Sequence, residues 1–252
     1  LITMSDSGLA QLPIKYAPLV VGVVTSLSAL ESVAASRESR RSYDAVELRL
    51  DFLPEGEQRS DRWITLCREL EEKGIPVILT IRLDREGGRW KKDDLARKPF
   101  FEKALGRLSA VDIELSSHLL ATLMDMIPDG STSLIGSYHN FARTPSLMDL
   151  RLTVTDARKD GVDIVKIVTT IKTGKDVETL AALLAKKRAL PLCVIGMGPK
   201  GVDTRFSFPT LGSVLTYGYI DRPTAPGQTS CDELDAGLRG RLPLYRARRE
   251  AG

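Results

Sequence analysis

The stretch Val162-Asp163-Ile164-Val165-Lys166-Ile167-Val168 decides how this chain folds. Its β-branched residues fall on both faces, which marks a parallel strand covered on each side by helices. A lysine stands in the middle of that run. A desolvated ammonium must reach water, find a partner or give up its proton, because an isolated buried charge is costly. A lysine that gives up its proton is a nucleophile for carbonyl carbon. His139, one of two histidines in the chain, ends the preceding apolar run. Lys166 and His139 are therefore read as the chemistry.

Similar apolar runs recur on both sides of this one, at 19–25, 45–51, 76–82, 110–115, 133–139, 191–197 and 213–220. Between most of them, apolar residues recur at three- and four-residue spacing among charges, predicting helices over 27–41, 59–73, 94–108, 146–159 and 176–188. Gly74-Ile75-Pro76 and Gly161 stop helices where strands should begin. Eight strands alternating with helices in 252 residues predict the α/β class and a (β/α)8 TIM barrel. The expectation is a single domain over 18–252, with residues 1–17 an N-terminal extension that shows no clear period. The segments after the fourth and seventh strands, 116–127 and 206–211, are short for barrel helices. An open doubly wound sheet fits the same count, but it normally offers a glycine-rich turn after its first strand. Here that turn reads Val24-Thr25-Ser26-Leu27.

Composition narrows the partners. Basic residues number 36 and acidic residues 33, and the resulting +3 is too slight to argue for nucleic acid or a membrane surface. Arg246, Arg248 and Arg249 read as a solvated tail. Cys67, Cys193 and Cys231 form no C-x-x-C pair, and an odd count argues against a disulfide framework. Cys193 reads as core. No run is long enough to span a membrane and no signal-peptide pattern opens the chain, so a cytoplasmic location is expected.

Polar residues fall at recurring places within the runs. In Val46-Glu47-Leu48-Arg49-Leu50-Asp51 the apolar side chains take one face and the charged ones the other. If the apolar face lies under the helices, Glu47 and Arg49 point into the barrel. Arg82 ends the third strand, Asp112 and Glu114 share a face of the fourth, and His139 and Lys166 follow on the fifth and sixth. Five consecutive strands then bring ionisable groups to the C-terminal rim, where barrel active sites form. An all-carboxylate Mg²⁺ site from Glu47, Asp112 and Glu114 would compete with Arg49 and Arg82, and His118 reads as a surface residue, so no metal or other cofactor is expected. Glu86-Gly87-Gly88 follows the third strand. Gly196-Met197-Gly198-Pro199-Lys200-Gly201 reads equally as a phosphate cradle or a tight turn, and Thr224-Ala225-Pro226-Gly227-Gln228 as a plain turn or a lid.

Taken together, these blocks resemble the type I 3-dehydroquinate dehydratases. The matching pieces are Glu47-Leu48-Arg49-Leu50-Asp51, Thr80-Ile81-Arg82 with Glu86-Gly87-Gly88, and Asp112-Ile113-Glu114. Ser137-Tyr138-His139, Val165-Lys166-Ile167, Met197-Gly198 with Arg205, and Ala225-Pro226-Gly227-Gln228 follow in family order. The resemblance implies an imine-forming Lys166, a general acid/base His139 and a carboxylate, Glu86, that tunes it. It implies Arg205 as a clamp on the substrate carboxylate, with Glu47, Arg49, Arg82, Thr224 and Gln228 holding hydroxyls and closing the site. Thr224 and Thr204 stand where the family commonly has serine, and each keeps a hydroxyl. The implied substrate is 3-dehydroquinate, and the implied partner at most a second copy in a homodimer. Lys166 is expected to be a neutral amine, depressed by burial and by Arg49, Arg82 or protonated His139. A class I aldolase on the same barrel and a non-catalytic binder of shikimate-like acids remain the alternatives.

Overall fold

In the computed structural model, which describes residues 9, 17–37, 41–127, 130–185, 190–223 and 228–251, each apolar run forms a strand. These are β1 (Leu19–Val24), β2 (Ala45–Arg49), β3 (Val77–Thr80) and β4 (Ala110–Glu114), then β5 (Ser133–Asn140), β6 (Ile164–Thr170), β7 (Leu192–Met197) and β8 (Leu215–Tyr219). All pair in parallel in the order β7-β6-β5-β4-β3-β2-β1-β8, which is the wound order of a (β/α)8 barrel. Closure between β7 and β8 is looser. Val214 donates its amide to Leu192 O at 2.8 Å, and the Ser213 hydroxyl receives the Val194 amide at 3.0 Å.

Side-chain alternation turns that backbone into a layered interior. Ala45, Ile78, Ala110, Ile135 and Ile164 point inward and are wholly buried. Two residues further along the same strands stand Glu47, Thr80, Asp112, Ser137 and Lys166, so an apolar floor carries a polar storey. Another two residues on come Arg49, Arg82, Glu114 and His139. The opposite strand faces, Leu48, Leu79, Val111, Ile113, Val165 and Ile167 among them, form the main core beneath the helices. Leu9, within the segment read as an extension, is wholly buried with the interior cluster and donates its amide to Ser109 O at 3.0 Å.

The helices depart from the sequence reading mainly at their ends. The 27–41 prediction shortens to α1 (Leu27–Ala35), after which Ser36 is extended. The 59–73 prediction becomes α2 (Glu55–Arg59) and α3 (Arg62–Glu72), because Ser60 adopts an extended conformation between them. The 94–108 prediction opens as a 3₁₀ turn, Leu95–Arg97, and becomes α4 (Lys98–Ala104), with Pro99 in its first turn. Proline lacks the amide that a helix interior needs but suits a first turn. The short segments form α5 (Leu120–Met126) and α8 (Thr204–Thr210), and α6 (Leu147–Lys159) keeps its predicted span behind an N-capping Ser146. α7 (Gly174–Leu184) begins at a capping box between Thr173 and Asp176.

Two further helices, α9 (Cys231–Arg241) and α10 (Pro243–Ala251), follow β8. Here the structure corrects the solvated-tail reading. Arg248 and Arg249 lie on α10 and converge on Asp44 at 2.9 and 3.2 Å, with Arg249 also reaching Asp235 at 2.7 Å. A helix rather than an irregular tail carries Arg248 and Arg249 back onto the barrel, while Arg246 stays exposed.

Candidate active site

Above the polar storey, at the C-terminal ends of the strands, opens a cavity of about 150 Å³. Lys166, His139, Glu86 and Arg205 line it. So do Glu47, Arg49, Arg82 and Gln228. Thr224 lies outside the described residues, as does the rest of the 224–227 turn.

Lys166 lies third along β6, with Ser137 and Cys193 as its register partners on the flanking strands. Its ammonium donates to Asp112 Oδ2 at 2.9 Å and to Glu47 Oε1 at 3.2 Å, and it sits 3.9 Å from the centroid of the Tyr217 ring. This corrects the expected neutral amine. Burial pulls the ammonium down, but Asp112 and then Glu47 outweigh it and hold the group above the ordinary lysine range. Burial likewise pushes Asp112 up, and Arg82 and Lys166 together keep it ionised far below the usual carboxylate range.

His139 is in the opposite condition. Burial, then the charges of Arg82 and Lys166, drive its pKa well below 6.5, so the ring is neutral at physiological pH. Its Nδ1 lies 3.1 Å from Glu86 Oε2, while Ser116 donates to the other Glu86 oxygen at 2.7 Å. A carboxylate at Nδ1 makes that nitrogen the donor and leaves the Nε2 lone pair available. Glu86 ends a 3₁₀ turn, Asp84–Glu86, and Gly87 follows at φ 76°. The second glycine is required by space, since a Cβ on Gly88 would fall 1.9 Å from Arg82 O. Phe141 covers Gly87 and stacks on His139 with ring centroids 6.3 Å apart.

The arginines divide by partner. Arg82 donates to Ser137 Oγ and Asp112 Oδ1, both at 2.6 Å, and contacts Glu114 at 3.2 Å. Arg49 is paired in two-pronged fashion with Asp51 at 2.9 and 2.8 Å. Arg205 has no carboxylate partner among the described residues; it donates only to Tyr217 O, at 3.3 Å, and its Nε is buried without a bond. Burial accordingly depresses its pKa. Arg205 reaches the cavity where β7 and β8 part, with Thr216 bonding back to Arg205 O at 2.9 Å.

Sequence reading missed the support beneath this rim. Arg97, wholly buried, donates to Glu114 and to Ile81 O, both at 2.6 Å, and pairs with Asp94. The missed Tyr217 was detectable by its alternation with Leu215 on β8. The Gly196–Gly201 segment is a tight turn: Gly201 N is spent on Gly198 O, and Gly196 N on the Thr204 hydroxyl. Those two amides are thereby withdrawn from any phosphate cradle. Glu47, Asp112 and Glu114 are each held by cations, and no group of three metal-ligating side chains gathers among the described residues. No helix among the described residues is long and apolar enough to cross a membrane.

Comparison with known proteins bears on this arrangement. The model of the family described as Type I 3-dehydroquinase matches residues 21–241. The chain is 31% identical over 226 residues to the 3-dehydroquinate dehydratase of Thermodesulfovibrio yellowstonii, covering 88% of this chain and 98% of that one. It is 35% identical over 217 residues to that of Methanothrix thermoacetophila, covering 86% and 90%. Among solved structures, the 3-dehydroquinate dehydratase of Geobacillus kaustophilus superposes with a TM-score of 0.78 at 27% identity, covering 90% of this chain and 92% of that one.

Proposed function

The chain belongs to the type I 3-dehydroquinase family, and on that footing we propose that it converts 3-dehydroquinate to 3-dehydroshikimate through an imine on Lys166. The observation that carries this reading is the buried amine of Lys166 in a cavity that also holds a neutral imidazole and a guanidinium with no carboxylate partner among the described residues. Loss of water beside a ketone needs electrons to accumulate at the α-carbon, and an iminium provides the sink that a ketone does not.

The roles follow from the charge state of each group. Arg205 takes the substrate carboxylate, since a planar guanidinium with no carboxylate partner among the described residues is the complement of one. Glu47, Arg49, Arg82 and Gln228 meet the ring hydroxyls. His139 Nε2, as a neutral base, takes a proton from Lys166 so that the amine can attack C3, and returns it to the departing oxygen as water. It then removes the C2 proton to give the enamine, and as imidazolium it protonates the C1 hydroxyl that leaves. Glu86 holds the ring in the tautomer that keeps Nε2 free. Hydrolysis of the conjugated iminium releases product. In this reading the enzyme carries out the third step of the shikimate pathway.

Borohydride added during turnover should fix substrate to Lys166, detectable as a mass increase that maps to the Lys166 peptide. Lys166→Met should abolish both adduct and turnover, and His139→Ala should cost about 10²–10⁴-fold. A folded Lys166→Met protein that still turns over at a substantial rate would refute the assignment.

A further inference from the structure

An ammonium tied to two carboxylates looks ill-suited to be a nucleophile, and resolving that conflict assigns work to Asp112. Asp112 is 1% exposed, with one oxygen on Arg82 at 2.6 Å and the other on Lys166 at 2.9 Å. Arg82 is itself fixed by Ser137 and Glu114, so Asp112 cannot follow the lysine if that side chain moves. Glu47, the other carboxylate, holds the amine more loosely at 3.2 Å and also receives the Thr80 hydroxyl at 2.9 Å. The flexible four-carbon stem of Lys166 is thus held at its tip from β2 and β4, above the Tyr217 ring on β8.

We propose that Asp112 is a positioning residue for the imine chemistry, aiming the Lys166 nitrogen and pairing with it both as ammonium and as iminium. The inference rests on the Schiff-base reading above. Its chemistry balances: an ammonium and a ketone give an iminium and one water, with the C3–O bond broken, the C3–N bond formed and the charge on nitrogen unchanged. The proton that His139 borrows from the amine leaves with the water. A carboxylate opposite that nitrogen therefore stabilises both ends of the step and disfavours only the transient neutral amine between them. Fixing the nitrogen also supplies near-attack geometry, where a displacement of about 1 Å can cost on the order of 10²-fold in rate.

The charge balance around Lys166 fixes the direction of the test. Facing or neighbouring it are Glu47 and Arg49 from β2, Arg82 after β3, Asp112 from β4 and His139 from β5. Cys193 from β7, Tyr217 from β8, Arg205 from α8 and Glu86 from the loop after β3 complete the set. Among the described residues, Asp112→Asn leaves Glu47 as the one carboxylate on the amine, against three arginines.

The experiment follows the rate of borohydride-trapped adduct from 3-dehydroquinate across pH, alongside kcat and KM, in the parent and in Asp112→Asn. The adduct should still form on Lys166 of the variant, with its pH profile displaced about 1–3 units toward acid. Turnover should fall about 10²-fold in kcat, with KM changed much less. Asp112→Glu, which keeps the charge but lengthens the arm, should retain the parent pH profile while losing kcat; it also serves if the asparagine variant does not fold. An undisplaced profile in Asp112→Asn, or a profile in Asp112→Glu as displaced as that of the asparagine variant, would overturn this proposal alone. No adduct at any pH on the parent enzyme would remove the imine reading and this proposal with it.

Discussion

Tyr217 carries two opposed contributions in one side chain. Its ring lies 3.9 Å from the Lys166 amine, while its hydroxyl is buried with no hydrogen-bond partner among the described residues. A desolvated cation over an aromatic face contributes about 2 kcal/mol, and a buried polar group left unpaired costs about 1–3 kcal/mol. Tyr217→Phe keeps the first and deletes the second, so its unfolding free energy in urea should rise by about 1 kcal/mol. Tyr217→Leu should move the other way, and a phenylalanine variant less stable than the parent would mean that the hydroxyl is paired. That Lys166 and His139 meet in one cavity was legible in the sequence, because each stands in the C-terminal half of its apolar run, on neighbouring strands. Their charge states were not. The carboxylates that keep Lys166 protonated lie 54 and 119 residues away along the chain, and alternation alone shows that they point inward, not what they touch. Arg97 was invisible for a related reason, since an arginine in an amphipathic segment reads as solvated until a 3₁₀ turn aims it at Glu114.

Strands were easier to read than helices because each strand is a short apolar block, whereas helix ends depend on single residues such as Ser60 and Pro99. The C-terminal elements show the consequence most plainly. Asp44, just before β2, accepts the Val20 amide at 2.8 Å and pairs with Arg248 and Arg249 of α10, so α10 ties β1 and β2 together at the N-terminal end of the barrel. Asp44→Ala leaves two arginines and an amide without that carboxylate. Breaking a fully buried pair costs about 3–5 kcal/mol, and because Arg248 is 27% exposed the loss expected here is smaller, about 2–3 kcal/mol. The cavity proposed as the active site opens at the opposite rim, so kcat/KM should be unchanged at temperatures where the variant is folded. An unmoved urea midpoint would return Arg248 and Arg249 to the solvated tail that their sequence suggests.

Across the whole molecule, the barrel interior is nearly balanced in charge and the cavity is not. Lys166, Arg49, Arg82 and Arg97 each face a carboxylate, whereas Arg205 faces none among the described residues. Burying an unpaired cation costs stability, so the ligand-free fold holds a debt that one carboxylate can settle. Stability should therefore report occupancy. Quinate has a hydroxyl where the substrate has its ketone, so it can bind without forming an imine. At 100 times its Kd it should add about 2.7 kcal/mol, which for a chain of this length raises Tm by roughly 5–10 °C. Its methyl ester lacks the negative charge and should give little of that shift. Arg205→Gln should lose most of the quinate shift while its own ligand-free Tm holds or rises, because an uncompensated buried charge has been removed. Differential scanning calorimetry of both proteins with both compounds decides it. An equal shift from the ester, or an undiminished quinate shift in the variant, would mean that the carboxylate binds elsewhere and that Arg205 is unpaired for another reason.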